Sequence, residues 1–475
     1  SITNENLPRS MRFGLHGATA VQASTTLARF SSVNGTNGFS PNGSNEIRIR
    51  ISANGFMQTE KHYLQFKLTT AGADAVIDTS SGCIFDRISI EANGSIVEQI
   101  SNYGLYHAIR ENYNNDVNDI YKKLTESGCG GLAVKNDVTA IAEAGADNAA
   151  AIKVVTDAAH AANNGKLFPA EKSAAGEFIT SGHSKHFVVQ LESGLLKNSL
   201  KKALPEGLTE LELVLRLAPN AQALASAGGV TYQIDNPTFF CPVMMILNGD
   251  VMASYRSVVA QEGVMWSGVT AKSYINAVPL SVGTKTLQIN DRSISCLGMV
   301  TALRVANADS QNAIYSNGSF GYTDANSTDK VTEFHYSLNG TSFPASNIKI
   351  SVAENGLNIG RAVEETLKAL AKHGEDYSKS TICKNQCVKQ FDATYAAPPV
   401  TNGLDVPRGL FSVDLKKMSD DGLRMVGYNS AQNSSPSVLE IDVTTALAAA
   451  CTATTFCIVE AFYSMNNLGD LSSAM

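Results

Sequence analysis

Asn-Gly pairs occur at eleven positions in this chain, and they separate runs in which apolar and polar residues alternate. The clearest run is 333–350, EFHYSLNGTSFPASNIKI, which turns at Asn339-Gly340. Alternation with period two puts one face of a strand in a core, and an Asn-Gly pair supplies the positive φ angles of a two-residue hairpin turn. The segment therefore predicts a β-hairpin, with the pair Phe343-Pro344 packed against the core after the turn.

Runs of the same kind lie on both sides of this hairpin. In the first half they cover 47–51, 63–68, 84–91, 95–100, 185–192, 211–217, 230–234 and 239–247, and in the second half 264–277, 285–289, 294–305, 410–415, 438–443 and 456–463. Apolar residues recur at helical spacing in 103–124 and 359–372, and 194–203 is a shorter helical segment. Both halves follow a similar order of elements without a strict sequence repeat, which predicts an all-β chain of two similar parts.

The length of 475 residues exceeds what one hydrophobic core normally organises, so two domains are expected. We assign residues 1–40 to a polar N-terminal arm, 41–250 to the first domain and 251–475 to the second. Within the first domain, 127–182 is rich in Ala, Gly, Asn and Asp and contains few large apolar residues. Because such a segment can bury little surface, it predicts a long insertion that projects from the β framework.

The formal net charge of -7 indicates a mildly acidic surface. Nucleic-acid binding requires a concentrated basic face, and the basic residues cluster only at Lys197, Lys201 and Lys202, as on a solvated helix. The sequence contains no run of about 18 apolar residues, so no membrane span is predicted. Residues 1–10 also lack the apolar region of a secretory signal. Because the basic residues form no concentrated face, direct, sequence-specific recognition of nucleic acid is not expected.

Signatures of catalysis and of cofactor binding are absent from the sequence. It contains no G-x-S-x-G elbow, P-loop, H-E-x-x-H motif or paired C-x-x-C pattern. The glycine-rich segment 128–131 lacks the Lys-Ser that a phosphate loop needs, and Cys383 and Cys387 have only His373 nearby as a further metal ligand. We therefore predict no catalytic, cofactor-binding or metal-binding residues, and a protein that is not an enzyme.

The cysteines and two histidines also favour structural roles. The eight cysteines are scattered along the chain, which suits folding in a reducing compartment and predicts no required disulfide. Cys241 and Cys457 lie within apolar strand-like runs and are predicted to be buried thiols. His183 and His186 flank a predicted strand without an adjacent carboxylate or cysteine, so we expect them at the surface.

Several stretches resemble the double jelly-roll major capsid proteins of the tailless phage and adenovirus lineage, most of all those of polinton-like viruses, virophages and large algal DNA viruses. The stretches are 86–94 with Tyr103-Gly104, 195–217, 336–344 with the helix from Ile359, 408–415, 427–429 and 438–443. The resemblance implies an all-β fold of two consecutive eight-stranded jelly rolls, with short helices in the loops between strands.

The same resemblance implies a structural function. Family members form homotrimers that appear as pseudo-hexagonal capsomers and tile an icosahedral shell. Expected partners are neighbouring capsomers, penton and minor capsid proteins, and an internal membrane beneath the shell; the expected location is the virion.

Two other classes of protein share parts of this pattern. A surface adhesin or carbohydrate-binding β-sandwich protein would have the same Asn-Gly turns, but it should also show a secretory signal and clustered aromatic and acidic residues. A polysaccharide-active enzyme would need a convergent pair of carboxylates. In this sequence the alternating glutamates of the strand-like runs fall on the faces expected to be exposed.

Overall fold

The computed structural model describes most of the β framework. The described residues are 23–52, 54–72, 75–78, 80–114, 176–179, 181–197, 203–225, 229–279, 281–305, 331–350, 360–370, 409–416, 427–444 and 451–475. Most of the predicted insertion 127–182 and the last part of the predicted helix 103–124 lie outside these ranges.

Twenty-one strands are found in the described residues. They are β1 (Ala23–Ser31), β2 (Glu46–Ile51), β3 (Phe56–Met57), β4 (Tyr63–Ala71), β5 (Ala75–Asp78), β6 (Phe85–Ala92), β7 (Ser95–Ser101), β8 (Gly176–Ile179), β9 (Ser184–Val189), β10 (Leu211–Leu217), β11 (Leu224–Ala225), β12 (Thr231–Ile246), β13 (Val264–Val278), β14 (Gly283–Ile289), β15 (Cys296–Val305), β16 (Val331–Leu338), β17 (Thr341–Lys349), β18 (Phe411–Asp414), β19 (Ser437–Val443), β20 (Cys451–Met465) and β21 (Leu471–Ala474).

The first part of the chain forms two facing sheets. One has the strand order β1-β12-β4-β9, with β3 added beside β12, and the other has the order β2-β10-β6-β7. A small sheet of β11, β5 and β8 lies outside this pair. All the pairings are antiparallel.

The second part repeats this arrangement. Its sheets have the orders β13-β20-β15-β18, with β21 beside β20, and β14-β19-β16-β17. The eight principal strands are β1, β2, β4, β6, β7, β9, β10 and β12 in the first part and β13 to β20 in the second. When they are numbered 1 to 8 in chain order, one sheet of each part has the strand order 1-8-3-6 and the other has the order 2-7-4-5. This is the topology of an eight-stranded jelly roll. The predicted all-β fold of two consecutive jelly rolls is confirmed.

Alternating burial explains why the clearest strands form where the sequence predicts them. In β10 the side chains of Leu211, Leu213 and Leu215 are buried, whereas Glu212 and Arg216 face outward. The turns are also as predicted, since Asn93-Gly94 has φ angles of 50° and 76° and Asn339-Gly340 has φ angles of 51° and 80°. Both pairs close two-residue hairpins.

The predicted N-terminal arm, 1–40, needs correction because β1 lies within it. This strand pairs with β12 along its whole length, from Ala23 opposite Ile246 to Ser31 opposite Thr238. Most of its side chains are exposed, and only Ala28 and Phe30 pack against the core. A strand with so few buried residues carries little apolar alternation, which is why the sequence pattern missed it.

Three further predictions differ from the structure. Segment 176–179 at the end of the predicted insertion is strand β8, which pairs with β5 and buries Ile179. The two strands predicted at 230–234 and 239–247 are the single strand β12, because an irregularity at Asp235–Thr238 accommodates the intervening Pro237. Phe343, predicted to pack against the core, is 43% exposed.

The helices connect strands at the ends of the rolls. They are α1 (Tyr103–Asn114), α2 (Asn220–Ala223), α3 (Gly249–Glu262) and α4 (Gly360–Leu370), with short 3-10 turns at Thr59–Lys61 and Ser81–Ile84. In the predicted helical segment 194–203, the described residues 194–197 form a turn. Helix α3 spans the predicted domain boundary at residues 250 and 251. None of the described helices has the length and apolar character that a membrane crossing requires.

The hydrophobic core shows how the two rolls are joined. One cluster of buried residues belongs to the second roll alone and includes Phe334 and Leu439. The larger cluster fills the first roll and continues into Trp266, Phe456 and Tyr463 of the second. The rolls therefore meet across buried apolar surface, and they do not simply share a connecting chain.

Candidate functional site: the junction between the rolls

A buried carboxylate lies at the centre of the contact between the rolls. Glu98 of β7 is 2% exposed, and its two oxygens accept four hydrogen bonds. Three of the donors belong to the first roll: Ser193 Oγ at 2.6 Å, Gly194 N at 2.7 Å and Leu195 N at 3.0 Å. The fourth is Thr270 Oγ1 of β13, at 2.6 Å. One side chain thus holds a loop of the first roll and a strand of the second.

The backbones of the two rolls touch beside this carboxylate. A Cβ atom on Gly268 of β13 would lie 1.9 Å from the carbonyl oxygen of Gly194, so only glycine fits there. A Cβ atom on Gly194 would in turn lie 2.8 Å from the hydroxyl of Tyr463. We refer to Glu98, Ser193–Leu195, Gly268 and Thr270 as the inter-roll junction.

Helices α1 and α4 form a second contact between the rolls. Each follows the fifth strand of its own roll, and the two helices pack against each other. The buried guanidinium of Arg110 in α1 donates a hydrogen bond of 2.7 Å to the carbonyl of Leu370 at the end of α4. Tyr106 of α1 also packs against Phe456 of β20, with ring centroids 5.5 Å apart.

The C-terminal strand of the second roll adds a third contact. Strand β21 pairs with β20, and Ser473 Oγ donates to the carbonyl of Val97 in the first roll at 2.6 Å. In the turn before β21, Asp470 Oδ1 accepts a hydrogen bond of 2.7 Å from Asn93 Nδ2, and the carbonyl of Gly469 accepts one of 3.0 Å from Thr209 N. Three separate regions therefore hold the two rolls against each other.

A serine and a histidine in the first roll have the spacing of a nucleophile and its base. Ser80 Oγ lies 3.0 Å from His107 Nε2, and the hydroxyl oxygen of Tyr103 lies 3.3 Å from His107 Nδ1. Glu111 Oε1 is 3.8 Å from the same Nε2 atom as the serine, so it does not orient the ring from the opposite side. Ser80 and His107 are fully buried, and the ring covers Gly82. This arrangement fastens α1 to the Ser81–Ile84 turn and offers no access to a substrate.

His62 is a buried histidine with a defined hydrogen-bond pattern. Its Nδ1 donates to the carbonyl of Thr59, its Nε2 accepts from Leu191 N at 3.0 Å, and its ring stacks on Phe239. Burial lowers the pKa of His62 to about 4, and the nearby Lys197 acts in the same direction. The imidazole is therefore neutral in the folded protein at pH 7.

We expect this histidine to destabilise the protein in mild acid. Its folded-state pKa is depressed below the unfolded value of about 6.5, so the stability it contributes is present above pH 6.5 and is lost as the pH falls towards 4. The loss should reach up to about 3 kcal/mol. Denaturant unfolding at pH 7 and pH 4.5 measures it, and the His62→Asn variant should show a smaller loss than wild type. The same substitution at the exposed His186 is the control; an equal loss in all three proteins contradicts the prediction.

The other residues singled out in the sequence are distributed as follows. Cys241 in β12 and Cys457 in β20 are buried thiols, as predicted, and burial raises the pKa of Cys241 to about 12. His183 and His186 are exposed, as predicted. Outside the described residues lie Cys129, Cys383, Cys387, His373, Lys201, Lys202 and segment 128–131.

One group of potential metal ligands occurs among the described residues, and the sequence analysis missed it. Asp291, Cys296 and Cys457 are all buried, and their ligand atoms lie within 4.8 Å of one another. Asp291 and Cys296 lie five residues apart, but Cys457 belongs to a distant strand, so no short spacing motif marks the three residues. The inter-roll junction was missed for the same reason.

The sequence has no recognised relatives in two comparisons, since no family model and no curated protein matches it. Solved structures do match. A chain of the Sputnik virophage has a TM-score of 0.57 at 12% identity, covering 95% of this chain and 88% of that chain. The major capsid protein of faustovirus has a TM-score of 0.55 at 8% identity, covering 95% and 92% respectively. The mavirus major capsid protein has a TM-score of 0.50 at 10% identity, covering 100% and 93%.

These matches extend over both rolls of this chain and over most of the length of each matched chain. At such low identity, the likeness bears on the fold and not on individual residues. Together with the strand orders of the four principal sheets, it establishes that this chain is a double jelly roll of the kind found in viral major capsid proteins.

Proposed function

We propose that this chain is the major capsid protein of an icosahedral virus and that it acts as a structural protein without catalytic activity. The observation that carries the proposal is the full-length likeness of both rolls to viral capsid proteins. A fold alone does not determine function, but here the likeness covers nearly the whole of both chains and not a single roll. The virion shell is the corresponding location.

The inter-roll junction supports this function mechanically. A shell subunit must keep its two rolls in one orientation so that its contacts with neighbours repeat accurately. The buried Glu98 network and the Gly268–Gly194 contact fix that orientation through hydrogen bonds and close backbone packing. Nothing in this arrangement resembles an accessible reaction site.

We further propose that the chain forms a homotrimer with a pseudo-hexagonal outline. Two rolls per subunit give six rolls per trimer. Six similar rolls around one axis produce a pseudo-hexagonal outline, and units with that outline can tile a shell. Large apolar side chains remain exposed around helix α3 at one end of the subunit: Met245, Leu247, Val251, Val258, Met265 and Leu468. Met265 is 72% exposed, and such groups commonly mark protein interfaces. Neighbouring capsomers, penton and minor capsid proteins, and an internal membrane are the further partners proposed.

Sedimentation of the purified full-length chain tests the trimer. We expect a single species of three chains at micromolar concentration, and negative-stain images with six-fold outlines. The double substitution Val258→Glu and Met265→Glu should weaken the trimer if the apolar end of the subunit forms contacts between subunits. Lys185→Glu, at a partly exposed residue of β9 in the first roll, is the control. A wild-type protein that sediments only as a monomer contradicts the proposed assembly.

A further inference from the structure

Two thiols and a carboxylate meet inside the second roll. We propose that Asp291, Cys296 and Cys457 form a binding site for a thiophilic divalent cation of the zinc class. Cys296 and Cys457 are fully buried, Asp291 is 3% exposed, and all three ligand atoms lie within 4.8 Å of one another. Two sulfur ligands and one oxygen ligand supply three of the four positions of a tetrahedral zinc ion.

The fold brings Cys457 to a pair of residues, Asp291 and Cys296, that are close together in the chain. Asp291 lies in the turn between β14 and β15, Cys296 begins β15, and Cys457 lies in the middle of β20. The pairing of β15 with β20 has an irregularity between Cys296 and Gly298, next to the paired residues Met299 and Cys457. Such a bulge re-aims side chains and is common beside binding sites. Here it accompanies the approach of Cys296 to Cys457.

The carboxylate is held by a second layer of hydrogen bonds. Ser293 Oγ donates to Asp291 Oδ1 at 2.6 Å, and Ser430 Oγ donates to Asp291 Oδ2 at 2.6 Å. The hydroxyl of Tyr274 also donates to Oδ1, at 3.2 Å. Metal ligands are commonly oriented by outer hydrogen bonds of this type. These hydrogen bonds hold the Asp291 carboxylate in a fixed position for binding a metal. They also provide both of its oxygens with donors when no metal is bound.

A divalent ion offsets most of the negative charge that the ligands carry when it binds. Binding displaces one proton from each thiol, so two thiolates and one carboxylate face the 2+ charge and leave a net charge of −1. Lys272 Nζ donates to Ser293 Oγ at 3.1 Å and supplies a positive charge beside the cluster. Without a metal, burial raises the pKa of the Cys457 thiol, and the contact with Cys296 acts in the same direction. The ion would link β20 to the start of β15 and to the preceding turn.

Metal analysis of the full-length protein tests the site. The protein is produced with added zinc, purified without chelators and analysed by elemental mass spectrometry. We expect about one zinc ion per chain. The variants Cys296→Ser and Cys457→Ser should retain less than about a tenth of that amount, because each removes a thiolate ligand. Cys241→Ser, which changes a buried thiol in the first roll, should keep the full amount.

Cobalt binding to the wild-type protein keeps the proposal testable if the serine variants do not fold. The metal-free protein is titrated with Co²⁺, and we expect the near-ultraviolet absorption of thiolate-to-cobalt charge transfer. Asp291→Asn should weaken Co²⁺ binding at least about tenfold. Wild-type protein without zinc and without this absorption overturns the proposal, as does a Cys296–Cys457 disulfide in unreduced protein. Zinc retained by both serine variants also overturns it, because the ion would then lie elsewhere.

Discussion

Replacing Glu98 with alanine is expected to lower the free energy of unfolding by roughly 3–6 kcal/mol and to separate the unfolding of the two rolls. The side chain accepts hydrogen bonds from two backbone amides and two hydroxyls, all in a buried site. The amides of Gly194 and Leu195 would lose their acceptor, and each buried orphan donor costs about 1–3 kcal/mol. Denaturant unfolding followed by fluorescence and circular dichroism measures the change.

Two further variants separate the junction from general effects of losing a glutamate. Glu98→Gln keeps one carbonyl oxygen as an acceptor but places an amide group against backbone donors, so an intermediate loss is expected. Glu212→Ala removes a glutamate of β10 that pairs with Arg48 on a partly exposed face. An ion pair of that kind contributes at most about 1 kcal/mol. If Glu98→Ala costs no more than Glu212→Ala, the carboxylate does not hold the rolls together.

The sequence predicted those strands that have one buried face. Ile47, Ile49 and Ile51 alternate with charged residues, and β2 buries the three isoleucines. The same reasoning located β10 and β16, and the Asn339-Gly340 turn located β17, most of whose side chains are exposed. Local alternation suffices in these cases, because burial of every second residue is a property of a single segment.

Strands whose environment departs from this rule were predicted less well. Strand β1 is mostly exposed and joins the sheet through its backbone hydrogen bonds with β12. Strand β20 is buried on both faces over much of its length, so its apolar run locates the strand but not its ends. The extent of both strands depends on neighbours that the local sequence does not specify.

The functional contacts could not be predicted because they join distant segments. Glu98 accepts hydrogen bonds from Ser193 and from Thr270, which are 95 and 172 residues away in the chain. Cys296 and Cys457 likewise belong to separate strands with no motif spacing. A lone buried glutamate in a strand gives no signal beyond its polarity. Only the packing of one roll on the other shows that this residue and Gly268 are needed where they are.

Replacing Gly268 with valine is expected to destabilise the protein by at least about 3 kcal/mol, the upper end of the usual cost of overpacking. The added Cβ atom would lie 1.9 Å from the carbonyl oxygen of Gly194 and 2.6 Å from its carbonyl carbon. Both are backbone atoms of the other roll, so no side-chain rotation can relieve the overlap. Either the loop at Gly194 moves, which breaks its hydrogen bond to Glu98, or the rolls separate.

Thermal unfolding and limited proteolysis distinguish the effect on the junction from a local defect in β13. Gly268→Ala should show a smaller shift in the same direction, because it adds the Cβ atom without the branch. Gly229→Ala is the matched control, since that glycine has no neighbouring atom within 4 Å of an added Cβ. We expect the Gly268 variants to unfold in two steps and to be cleaved between the rolls, near helix α3. A Gly268→Val protein that unfolds in one step at the temperature of the Gly229→Ala protein would show that the rolls do not depend on this contact.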